Sequence, residues 1–106
     1  MEGLDQVRDL INNDFNTEEE GLIISGGHLE MQYLHERLTM IIEHLLQNNF
    51  EKLCNAMYRL DVSERKFQEV LATTDPADIS SQLAKLVIER EMQKVVTRNM
   101  YKNREL

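Results

Sequence analysis

The sequence predicts an all-α protein, a small helical bundle of about five helices with a long C-terminal helix. Three observations predict it. Apolar residues recur at spacings of three and four over most of the chain, and strict alternation is not sustained. Pro76 is the only proline, so little in the chain forbids long helices. Asn, Asp and Ser, whose short side chains cap helix ends, stand at the breaks between the periodic runs.

Leu4, Val7, Leu10 and Ile11 share one face of a short first helix, expected to end at Asn12-Asn13-Asp14. Residues 13–28 then read as a loop, because a run of acids and three glycines breaks the pattern. Leu22-Ile23-Ile24 suggests a short extended piece within it. The second helix follows from Met31, Leu34, Leu38, Ile41 and Leu45, one seam that Ile42 and Leu46 widen. Asn48 and Glu51 have the spacing of a capping box and predict the start of a third helix. Its expected face is Phe50, Leu53, Met57 and Leu60.

Asp61 and Glu64 repeat that spacing, with Ser63 as a competing cap, and open a fourth helix burying Phe67, Val70 and Leu71. At Thr73-Thr74-Asp75-Pro76 one helix stops and another begins, Asp75 as cap and Pro76 in the first turn. The last helix is expected to reach Lys102, roughly 40 Å at about 1.5 Å per residue. Its apolar positions split: Ile79, Leu83, Leu86 and Val87 form one face, and Ile88, Met92, Val95, Val96 and Met100 another. The stripe thus changes sides near Arg90. Either the helix bends at Glu89 to Glu91, or its C-terminal half meets a second surface, for which another subunit is the simplest choice.

Bulk composition narrows the function. A chain of 106 residues with 42% apolar side chains has room for one domain, 1–106, and is not wholesale disordered. No apolar run approaches a membrane span, and the first residues lack the pattern of a signal peptide, so a cytoplasmic protein is expected. The single Cys54 rules out an intramolecular disulfide and a thiolate zinc cluster, and reads as a small core residue. A net charge of −7 argues against nucleic acid as a partner. That charge is uneven: residues 1–89 carry 7 Lys/Arg against 17 Asp/Glu, and residues 90–106 carry 5 against 2.

The motifs mostly exclude. Gly21 and Gly26 match the outer spacing of a phosphate-binding P-loop, but Gly27 stands in place of its lysine and His28 in place of its hydroxyl. Gly26-Gly27 is better read as a tight approach to the second helix, whose N-terminus could at most take a small anion. His28, His35 and His44 lack the three- or four-residue spacing of helical metal ligands, and neither a metal nor another cofactor is expected. No nucleophile motif is present, so no catalytic residue is assigned. Residues 50–73 have the size of a helix-turn-helix, but Glu64 and Glu69 flank the candidate contacts Arg65, Lys66 and Gln68.

Arg90, Lys94, Arg98 and Lys102 recur every four residues and line one side of the last helix. Such a row suits a solvated helix end, but beside an apolar face it also suits a partner. "YRLDVSERKF" followed by "LAKLVIEREMQK" resembles small uncharacterised helical proteins of bacteria over the C-terminal half, a resemblance that implies no function, fold or site residue. The expected role is a non-enzymatic interaction module. It would self-associate, a dimer favoured, through Ile88, Met92, Val95, Val96 and Met100, with the basic row setting orientation. The alternatives are another protein partner, a nucleic-acid-associated regulator, or a small ligand-binding protein or enzyme.

Overall fold

A computed structural model describes residues 3–26 and 30–104, without the side chains of 102–104. Its elements are α1 (Leu4–Phe15), α2 (Met31–Asn48), α3 (Phe50–Leu60), α4 (Glu64–Thr73), a short 3-10 turn (Pro76–Asp78) and α5 (Ile79–Arg104). The protein is all-α. The last helix is the organising element: it lies along α2 and also meets α1, α3 and α4. No described helix is long and apolar enough to cross a membrane.

The first helix runs past the asparagines to Phe15, which is 1% exposed and continues the stripe of Leu4, Val7 and Ile11 at the next turn. It stops at Asn16, whose N–H still closes on the Asn12 carbonyl at 3.1 Å and whose left-handed backbone (φ 52°) then turns the chain out of the helix. Asn12 does not break the helix because its side chain bonds elsewhere. Its amide donates to the Ile24 carbonyl at 2.9 Å and accepts from the Ile24 N–H at 3.0 Å. This clamp buries Ile24 without a strand partner, so the expected extended piece is an irregular segment tied to α1.

The predicted seam of α2 is the observed one, with Leu34, Leu38, Ile41, Ile42 and Leu45 buried. Asn48 remains its last residue, and Asn49 is the cap of α3, its side chain accepting from the Lys52 N–H at 3.1 Å. The expected cap was thus one residue early, since the chain turns only at Asn49. Asp61 closes α3 in the left-handed region (φ 60°), leaving Ser63 to cap α4 through the Lys66 N–H. Asp75 accepts from the Ala77 N–H at 3.0 Å and starts the turn into α5, with Pro76 in its first position.

The change of sides expected near Arg90 is absent. The last helix is unbroken, and its buried positions are Ser80, Leu83, Ala84, Val87, Ile88, Glu91 and Val95. At about 100° per residue these form one continuous seam. The seam is hidden in the sequence because two of its buried positions, Ser80 and Glu91, count as polar there. Its far end is covered by α1: a methyl group added at Gly3 would sit 3.1 Å from Val95 Cγ1. The second surface is therefore this chain's own first helix.

Candidate functional site

Tracing α5 outward from the core separates the residues of the expected interface. Ile88 (5% exposed) and Val95 (4%) belong to the core and are closed to a partner. Met92 is half-buried beside Met31, His35 and Ile88 in a groove between α2 and α5. Val96 and Met100 are 54% and 57% exposed, and from Val96 to Tyr101 every residue is exposed. Met92, Val96 and Met100 follow one another at four-residue steps, so they form a stripe that emerges progressively from the protein. The second, exposed part of the helix is an arm.

The basic row is sorted in the same way. Arg90 turns back onto α3, donating from Nε to the Leu60 carbonyl at 3.3 Å and from Nη2 to Asp61 Oδ2 at 3.4 Å. Lys94 Nζ lies 3.9 Å from Glu91 Oε1. Arg98 is exposed on the arm, close to Tyr101. The side chain of Lys102 lies outside the described residues. Tyr101, 65% exposed, is an arm residue that the stripe spacing did not single out.

Glu91 is the other residue that pattern reading missed. It is fully buried, no N–H or hydroxyl donor reaches its carboxylate oxygens, and the nearest cation is beyond hydrogen-bond distance. Burial, and then the Asp14 carboxyl on α1, push its pKa up to about 8, with Lys94 and Arg90 pulling the other way. A carboxyl that keeps its proton near neutrality explains how an acid fits into an aliphatic seam. It lies where α5 packs against α1.

A second exposed apolar surface lies between α3 and α4. Phe50 and Phe67 stack with ring centroids 6.4 Å apart, and with Cys54, Met57, Tyr58 and Leu71 they line a groove of about 570 Å³. Phe50, expected on the buried face of α3, is 45% exposed, and Tyr58 is 87% exposed. Burial, and secondarily Glu51, raise the pKa of the Cys54 thiol, the opposite of what an activated nucleophile requires. The outer face of α4 presents Glu64 and Glu69 among Arg65, Lys66 and Gln68, a mixed surface for a would-be recognition helix.

The remaining candidates make local contacts where they can be seen. His35 Nε2 lies 3.0 Å from the Ser81 carbonyl and tethers α2 to α5, while His44 contacts Asn48 on the surface of α2. Among the described residues no group of three His, Cys, Asp or Glu is arranged to hold a metal ion. Gly26 has φ 131°, a backbone that demands glycine, and its carbonyl accepts from Arg8 Nη1 at 2.7 Å. Gly27 and His28 lie outside the described residues, so the anion site considered there does too. No family model matches the chain, and no curated protein and no solved structure matches it either.

Proposed function

We propose that the protein is a non-enzymatic interaction module that self-associates through the exposed arm of α5. The observation that carries this reading is the departure of α5 from the core after Val95, which leaves Val96, Met100 and Tyr101 in solvent beside Arg98. Three large apolar side chains within two turns are a costly surface to leave wet, worth roughly 1.5–3 kcal/mol each if fully buried. The chain also supplies a partner of the right sign. Residues 1–89 have a balance of −10 and residues 90–106 of +3, so the acidic body of a second copy attracts the arm.

The test is the solution mass of the full chain by light scattering, beside that of a Val96→Glu/Met100→Glu variant. Both positions are exposed, so the fold is expected to survive. A dimeric wild type and a folded monomeric variant are the expected results. A wild type that is monomeric at every accessible concentration would sink the proposal.

A further inference from the structure

Self-association through the arm requires a surface on the second copy to receive it. We infer that the arm of one copy docks in the α3/α4 groove of another, with Met100 and Tyr101 entering between Phe67 and Tyr58 and with Arg98 at the acidic rim. This rests on the self-association reading and adds the identity of the receiving site.

Size, chemistry and charge each point to that groove. At about 570 Å³ it is within the usual range of binding clefts, and its walls are aromatic and aliphatic. Phe50 and Tyr58 in its lining are exposed, and aromatic side chains contribute strongly to association once a partner buries them. Its only charged lining residue is Glu64, and Glu51 lies close enough to Cys54 to raise its pKa. No lysine or arginine lines the groove, whereas Arg98 accompanies the apolar residues of the arm. The groove between α2 and α5 is a poorer receptor, since Lys85 and Glu89 among its lining residues offset each other and leave no net attraction for Arg98. The arm and groove are different patches of one chain, so a reciprocal exchange makes the contact twice and closes as a two-fold dimer.

Cys54, the only cysteine, lies in the groove wall and reports on the docking directly. In a full-length Met100→Cys variant, mild oxidation at alkaline pH should give a dimeric species in which the introduced thiol is joined to Cys54 of the other copy, as mapped by proteolysis and mass spectrometry. In parallel, Gln68→Arg, an exposed change at the groove edge, should weaken dimerisation of the wild-type arm by about tenfold or more. Circular dichroism checks that both variants keep the helical fold. A link between two introduced thiols would show that the arms pair with each other, overturning the groove as receptor and leaving self-association intact. A dimeric Met100→Cys variant that forms no link to Cys54, together with a dimer indifferent to Gln68→Arg, overturns it as well. A monomeric wild type removes both readings.

Discussion

Glu91 places a carboxyl where every other position along the middle of the α5 seam is aliphatic, and that makes folding depend on pH. Its folded pKa is about 8, against 4.5 for an ordinary glutamate. Below the lower value the group is protonated whether the chain is folded or not, and it costs nothing. Between the two values the unfolded chain releases the proton and the folded one retains it, so stability falls as pH rises and levels off above the folded pKa. Wild-type stability should therefore decline from about pH 5 to about pH 8, by on the order of 3 kcal/mol. Glu91→Gln should remove most of that decline, as urea titrations at several pH values would show. Parallel profiles for the two proteins would mean that Glu91 does not control it. Glu20 has the opposite sign, its pKa lowered chiefly by the 2.8 Å bond from Lys52 Nζ, so its contribution is lost as pH falls. Asn12 offers a second test at this scale. Asn12→Ala leaves the N–H and carbonyl of Ile24 without their partner and should cost about 1–3 kcal/mol in a urea melt.

Between elements, the least expected contact is that of α1 with the outer half of α5. Gly3 caps α1 at φ 93°, and any Cβ there would press on Val95 at 3.1 Å. Gly3→Ala should consequently destabilise the protein by about 1–2 kcal/mol, through backbone strain and crowding together. Hydrogen exchange should register the loss first in α1. Shortening α5 is a more severe test of the same packing. A chain ending at Glu89 loses Glu91 and Val95 from the seam and strips the cover from α1, so it should melt at a markedly lower temperature or fail to fold. A chain ending at Val96 should retain a cooperative melt. If both shortened chains melt alike, the outer half of α5 does not belong to the core.

For the whole molecule, shape and charge act together. Extents of 46 × 29 × 22 Å describe an elongated body whose longest dimension is comparable to the roughly 39 Å length of α5. The excess of acid lies in residues 1–89, and the arm at the other end of the chain is basic. Association guided by that separation should weaken as salt is raised from about 0.05 to 0.5 M, because charges more than a few ångströms apart are then screened. Analytical ultracentrifugation at the two salt concentrations measures the change. Equal dissociation constants would assign the contact to apolar burial alone.

The sequence by itself determined the helical class, the core of α2 and the Asp75 cap that opens the turn into α5. Each depends on local chemistry: apolar spacing over several turns, or a side chain that reaches a backbone N–H two or three residues away. Where two adjacent residues offered the same chemistry, as at Asn48 and Asn49, only the path of the backbone selected the cap. Tertiary structure alone decided the fate of Glu91 and Phe50. A carboxyl reads as surface until an aliphatic environment and Asp14 make its neutral form the favoured one, and an aromatic on an apolar face reads as core until no element arrives to cover it. The same reason accounts for Ile88 and Val95, which sequence spacing grouped with Val96 and Met100. Periodicity shows which residues share a side of a helix, but how far the neighbouring helices extend along that side sets where core ends and surface begins.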